Sequence, residues 1–331
     1  GNDSLTGGAG YDRMYGGVGD DTYYANDADD YAYEEAAEGH DQVIASVDHQ
    51  LRINVENLTL TGSAFIGKGN DLGNSILGTA NANKLYGYVG NDSLSGGGGD
   101  DYLFGAEGND TLTGGNGYDR MYGGTGDDLY IVADSTDYAY ENSSEGNDRV
   151  IASINHQLRA EVEELELSGS GNLRGYGNAS NNLMLGNSGA NLLYGRDGND
   201  ALQGNAGNDI LYGENGNDSL VGGTGQDRFY GGAGADDFIF DDGDFAGMAS
   251  STAERIHDFV AGLDRIHLGD VDANSALAGD QAFAFIGSGV FTGVAGQLRY
   301  QQISGNTYVQ GDTDGDGDAD FWVRLDGLHS L

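Results

Sequence analysis

The sequence predicts an all-β solenoid of short strands wound into stacked coils, closed by a β-rich cap. Three observations carry this. A nine-residue frame (glycine, glycine, any, glycine, any, aspartate, then three residues centred on an apolar one) runs unbroken from Gly69 to Ile131 and from Gly177 to Ile239. Glycine supplies 60 of 331 residues, far above the usual ~7%, so tight turns organise the chain more than a broad core does. A larger unit also recurs: "YAYEEAAEGHDQVIASVDHQLRINVENLTLTGS" from Tyr31 returns as "YAYENSSEGNDRVIASINHQLRAEVEELELSGS" from Tyr138, 107 residues later.

The elements follow in order. Glycines at the first, second and fourth frame positions permit positive φ and tight reversal. The three residues after the aspartate form a minimal strand whose middle side chain points inward. These middle residues include Leu94, Leu103, Leu112 and Met121, then Leu202, Leu211, Leu220 and Phe229. Nine residues make half a coil and eighteen a whole one, with successive coils ~4.8 Å apart as neighbouring strands are. Aspartates eighteen residues apart therefore become neighbours. The pairs are Asp3/Asp21, Asp12/Asp30, Asp92/Asp110, Asp101/Asp119, Asp110/Asp128, Asp119/Asp137, Asp200/Asp218, Asp209/Asp227 and Asp218/Asp236.

Such columns repel: two unit charges 5 Å apart cost about 0.8 kcal/mol in water and several-fold more against protein. A hard divalent cation between coils reverses the sign. Calcium accepts six to eight oxygens in tolerant geometry, whereas magnesium holds its waters and wants a strict octahedron. Acidic residues number 54 against 14 basic ones, a net charge of −40. That balance excludes a nucleic-acid partner and opposes anionic membranes. No apolar run approaches the ~18 residues of a membrane span, so no membrane insertion is expected. With no cysteine, disulfides and thiolate sites are excluded.

These repeats resemble the RTX, or hemolysin-type, calcium-binding nonapeptide. The resemblance covers about 140 residues in an unbroken register. It implies a right-handed parallel β-roll with calcium in the turns, the paired aspartates and Asp12 as side-chain ligands, and turn carbonyls two and four residues before each. Where glycine stands there, the implied carbonyl donors are Gly8, Gly10, Gly17, Gly19, Gly90, Gly97, Gly99, Gly108, Gly115, Gly117, Gly124 and Gly126. The later array adds Gly198, Gly207, Gly216, Gly223, Gly225, Gly232 and Gly234, with Asp227 and Asp236 as ligands. Units ending at Asn74, Asn83, Asn182 and Asn191 carry an amide instead. They are expected to hold no ion and to bond through Asn ladders.

The β-roll is expected over residues 1–239, with arrays at 1–24, 69–131 and 177–239 and spacers at 25–68 and 132–176. The spacers read as wider coils of one continuous solenoid. Asp27, Asp30, Glu34 and Asp41 recur as Asp134, Asp137, Glu141 and Asp148, either as one calcium site per spacer or as a solvated acidic loop. Residues 240–331 resemble the C-terminal cap of serralysin-type proteases and alginate epimerase repeat modules. In the cap, "DTDGDGDAD" places Asp312, Asp314, Asp316 and Asp320 at positions one, three, five and nine, with Asp318 offering a carbonyl. This is either a calcium loop joining strands or an acidic hairpin without metal.

No HExxH, GxSxG or P-loop is present, so no catalysis is expected here. The chain opens mid-motif at "GNDSL" and is expected to be the C-terminal part of a longer bacterial protein, a preceding catalytic domain being left open. The resemblance implies export by a type I secretion apparatus, an extracellular location and roughly nine or more calcium ions. A polysaccharide-binding module and a cell-surface spacer or self-assembling layer protein are the alternatives, the first drawing on the 20 tyrosines.

Overall fold

Each turn of the chain delivers one apolar side chain to the same interior line, and that regularity builds the molecule. The computed structural model describes residues 1–245, 249–274 and 276–331, and the described residues contain no helix. The chain forms two compact units, Gly1–Ile154 with Leu158–Glu164, and Asn155–Gln157 with Leu165–Leu331.

In the first unit one face is a parallel sheet. It runs through Ser4–Thr6, Thr22–Ala25, Gln42–Ala45, Asn57–Leu60, Ser75–Leu77, Ser93–Gly98, Thr111–Asn116, Leu129–Val132 and Arg149–Ala152. The opposite face carries His49–Gln50, Ile66–Lys68, Lys84–Val89, Tyr102–Glu107, Arg120–Thr125 and Tyr138–Tyr140, also parallel, and a separate pair, Arg13–Tyr15 with Tyr31–Tyr33. Within the arrays the register is the eighteen-residue one: Leu94 opposes Leu112, and Leu103 opposes Met121. In the spacer the coils change size. Tyr23 opposes Val43, and Val43 opposes Leu58, steps of twenty and fifteen residues. The strands of this spacer pair in the same parallel sheet as the array strands.

The second unit repeats the plan. Leu183–Leu185, Ala201–Gln203, Ser219–Val221, Asp237–Asp241 and Arg265–Asp270 form one parallel face. Its other face ends differently. Glu254–Ile256 pairs in parallel with Arg228–Ala233 and with Phe321–Leu325. The strands Gln297–Ile303, Asn306–Asp312 and Phe321–Leu325 then join antiparallel. These three strands lie within residues 240–331, the segment expected to form a cap.

The core is one side chain wide. Leu85, Leu94, Leu103, Leu112 and Met121 are fully buried, each contributing about 1.5–3 kcal/mol by leaving water. Several strands are six residues long, not three, because pairing with the neighbouring coil resumes beyond the first glycine, as in Ser93–Gly98, where Gly97 opposes Gly115 although its φ is 95°. All nineteen glycines expected to offer carbonyls adopt positive φ. Where the second frame position is not glycine, Ala106 (φ 92°) and Glu214 (φ 77°) are driven into the same region, which costs an L-residue about 1–2 kcal/mol. Space requires glycine as well: a Cβ on Gly117 would lie 2.6 Å from the Gly99 carbonyl carbon in the coil below.

Candidate metal centres

Every frame aspartate sits immediately before a strand, where the turn ends and the chain becomes extended. One carboxylate oxygen ties two coils together. The Asp92 N–H donates to Asp110 Oδ1 at 2.7 Å, Asp101 to Asp119 at 2.8 Å, and Asp110 to Asp128 at 2.7 Å. In the second unit Asp200 donates to Asp218 at 2.8 Å, Asp209 to Asp227 at 2.7 Å, and Asp218 to Asp236 at 3.0 Å. Asp3 to Asp21, Asp12 to Asp30 and Asp119 to Asp137 complete the nine pairs that the spacing brings together.

The second oxygen is different. Oδ2 of Asp12, Asp21, Asp41, Asp92, Asp101, Asp110, Asp119, Asp128, Asp200, Asp209, Asp218, Asp227 and Asp236 is buried without a hydrogen-bond partner. Leaving such an acceptor unpaired is costly, and more so when it is ionised. Burial pushes Asp92, Asp101, Asp128, Asp209, Asp218 and Asp227 up to about 7, and Asp110 and Asp200 up to about 6. An orphaned carboxylate oxygen beside a glycine turn is the donor set a hard cation needs. The residues present fit calcium. The frame aspartates would hold it, and a bound ion would supply charge neutralisation between coils.

The four amide units are built otherwise. Their second and fourth frame positions are absent from the positive-φ residues. Asn74 Oδ1 accepts the N–H of Asn70 at 2.7 Å, and Asn83 Oδ1 that of Thr79 at 2.6 Å. Asn83 Nδ2 donates to the Ala64 carbonyl at 3.0 Å. Asn182 and Asn191 likewise accept from Asn178 and Asn187. The amide closes its own turn. The Asn ladder lies one residue earlier, on the exposed side: Asn199 N–H donates to Asn181 Oδ1 and Asn217 N–H to Asn199 Oδ1, both at 2.7 Å.

The spacer acids separate into two groups. Asp30 Oδ2 caps the N–H groups of Asn26 and Asp27, and Asp27 accepts from Gly10. Asp137 similarly caps Asp134. Glu34 and Asp41 instead join Asp21, and Glu141 and Asp148 join Asp128. Burial first, then the neighbouring carboxylates, pushes Glu34 up to about 8, and burial does the same for Glu141. In the cap loop, Asp312, Asp314 and Asp316 bring carboxylate oxygens together. The loop's own N–H groups already use Asp312, through Gly315 and Gly317, and Thr313 uses Asp320. Asp318 donates its N–H to Asp316.

Four further carboxylates extend the columns and were not singled out by sequence. Glu56 accepts the N–H of Asp41, Glu163 that of Asp148, Glu254 that of Asp227, and Asp264 that of Asp236. Their spacings of 15, 15, 27 and 28 residues break the eighteen-residue rule. Three of them still stand one residue before a strand, and that position was the available signal.

Coil, turn and orphaned carboxylate together define a calcium-binding repeat module folded as a parallel β-roll. The model of the RTX calcium-binding nonapeptide repeat matches residues 1–32, 68–103, 77–112, 95–130, 104–138, 176–211 and 212–244, just over half of the chain. The chain belongs to that family, which is a non-catalytic calcium-binding module typical of secreted proteins. No curated protein sequence matches. Among solved structures, the AlgE6R3 subunit of the Azotobacter vinelandii mannuronan C5-epimerase is 23% identical (TM-score 0.21), covering 51% of this chain and 73% of that one. The extracellular lipase LipA from Serratia marcescens is 17% identical (TM-score 0.29), covering 87% of this chain and 43% of the lipase. No described helix is long and apolar enough to cross a membrane, which says nothing of β-barrels.

Proposed function

We propose that this chain is a non-catalytic module that folds when calcium fills its turns outside the cell, after export by a type I apparatus. The observation that carries this is the set of thirteen aspartates, among the described residues, whose Oδ2 is buried without a partner; in all of them but Asp12 the other oxygen accepts an N–H from the preceding coil. Without cation the −40 charge opposes compaction. A site with ligand at 100 times its Kd adds about 2.7 kcal/mol, so a few sites match the usual stability of ~5–15 kcal/mol. Roughly nine ions are expected from the nine pairs, with the cap loop as an additional candidate. Circular dichroism and elemental analysis test the reading. Strand signal should appear with millimolar calcium and vanish in excess EGTA. Strand signal indifferent to EGTA, or two or fewer ions per folded chain, would overturn it.

The tyrosines do not favour the polysaccharide alternative. Tyr86, Phe104, Tyr122 and Tyr140 stack face to face at 4.9–5.0 Å, as do Tyr176, Tyr194, Tyr212 and Tyr230 at 4.4–5.0 Å. The ring faces cover one another and leave mostly edges for a sugar.

A further inference from the structure

We propose that each repeat–spacer junction of the first unit is a separate hard-cation site, built by Asp21, Glu34 and Asp41 and again by Asp128, Glu141 and Asp148. In each set one oxygen per residue lies within 4.8 Å of the others. Glu34, Asp41, Glu141 and Asp148 fall outside the segments that match the repeat family. Only Asp21 and Asp128 are shared with the nonapeptide columns.

The first junction is almost sealed: Asp21, Glu34 and Asp41 are 1%, 3% and 1% exposed. The outward oxygens are used. Asp3 N–H donates to Asp21 Oδ1 at 2.6 Å and Asp21 N–H to Asp41 Oδ1 at 2.8 Å. Asp21 Oδ2, Asp41 Oδ2 and Glu34 Oε2 are left buried without partners. A tyrosine aims the glutamate. Gly16 N–H donates to Tyr23 Oη at 2.8 Å, and the Tyr23 hydroxyl donates to Glu34 Oε1. At the second junction Gly123 N–H donates to Tyr130 Oη at 2.7 Å, and that hydroxyl donates to Glu141 Oε1. The tyrosine has spent its proton on one glutamate oxygen, so the other turns towards the aspartates. The space itself depends on glycine: a Cβ on Gly123 would lie 2.5 Å from Glu141 Oε1.

The chain contains its own comparison. At the end of the last array Phe238 stands where Tyr23 and Tyr130 stand, and Ala249 follows it by eleven residues, where Glu34 and Glu141 follow the tyrosines. The hydroxyl and the glutamate are lost together. Three unpaired carboxylates in one dry pocket repel strongly. A calcium-like ion bound by all three satisfies every orphaned oxygen at once: three at the first junction, and Asp128 Oδ2 and Glu141 Oε2 at the second.

The test is the full chain carrying Glu34→Gln and Glu141→Gln, assayed for calcium per folded molecule. The expected result is a loss of two ions, one per junction, with the remaining count kept. Loss of all calcium binding in a folded chain would overturn the proposal, because the junctions would then not be separate sites. Glutamine is isosteric with a protonated glutamate, so an unchanged count with the fold intact overturns the proposal: a proton, not a cation, would then hold the pocket. If the double variant fails to fold, Tyr23→Phe with Tyr130→Phe serves, because a phenylalanine already occupies the equivalent place at 238. With terbium alone as probe, the number of terbium ions per folded chain, counted by elemental analysis, should fall by two. A count unchanged from the parent chain overturns the site.

Discussion

Replacing Asp110 by Asn separates the two duties of a frame aspartate. Oδ1 accepts the Asp92 N–H at 2.7 Å, and an amide oxygen keeps that bond. Oδ2 is buried without a partner, and an NH₂ group there cannot ligate a cation. In calcium at 100 times Kd each lost site costs about 2.7 kcal/mol, and Asp110 belongs to two pairs, with Asp92 and with Asp128, so the substitution should lower Tm by roughly 5–11 °C for each site lost. In EGTA the sign changes, because the substitution removes a buried charge: stability should be equal or higher. The natural amides show that an amide is accommodated in this frame position, since Asn83 Oδ1 accepts within its own turn and its Nδ2 donates to the Ala64 carbonyl of the preceding coil. Thermal melts of parent and variant, with millimolar calcium and with EGTA, decide it. A loss of the same size in both conditions would show that Asp110 acts through packing alone.

Three other outcomes are expected. Because Asp92, Asp101, Asp128, Asp209, Asp218 and Asp227 are raised by burial to about 7, their protonated form favours the metal-free fold. That stability is fully present below the ordinary carboxylate range near 4 and is lost as pH rises through about 7. Calcium affinity should run the opposite way, falling as pH drops below 7. Calorimetric titrations at pH 5 and 8 check this, and equal affinities would contradict it. Leu103→Ala empties a position wholly buried between Leu85 and Met121 and should cost about 2–5 kcal/mol in denaturant titrations with calcium present; a cost below 1 kcal/mol would mean the coils relax around the gap. Trp322, packed edge-on against Tyr308 at 5.6 Å, should shift its emission on calcium addition, and Asp316→Ala should weaken that shift. An unchanged titration in that variant would show that the cap loop holds no metal.

The arrays were legible because each frame position has a fixed physical role. Glycine marks the left-handed turn, Leu94 and Leu112 mark the interior, and the fixed count between them sets the register. Counting failed where spacer loops replace the nonapeptide turns, although it held through the amide units, where Asn74 and Asn83 still donate to Asp92 and Asp101 eighteen residues on. Asp41 follows Asp21 by twenty residues and Glu56 follows Asp41 by fifteen, because spacer loops change the path length while the strand before and after stays in line. Strand length was underestimated because the extension of Ser93–Gly98 runs through glycines, which carry no side-chain pattern. The ladder of amides was expected at the frame asparagines and occurs one residue earlier, at Asn181, Asn199 and Asn217. The buried amide's oxygen is taken by its own turn, and its Nδ2 reaches backbone carbonyls of the preceding coil.

The buried aspartate of each coil takes an N–H from the coil before it, and the exposed asparagine takes one from the coil after it. Every coil inside an array thus presents the same sockets on its two sides. Genetic change of such a chain is quantised. A duplication of eighteen residues inserts one coil whose donors and acceptors are already matched. A change of nine sends everything downstream to the opposite sheet, and other lengths break both ladders. Length variants of this molecule should accordingly differ by whole coils within the arrays and by irregular amounts only in the spacers.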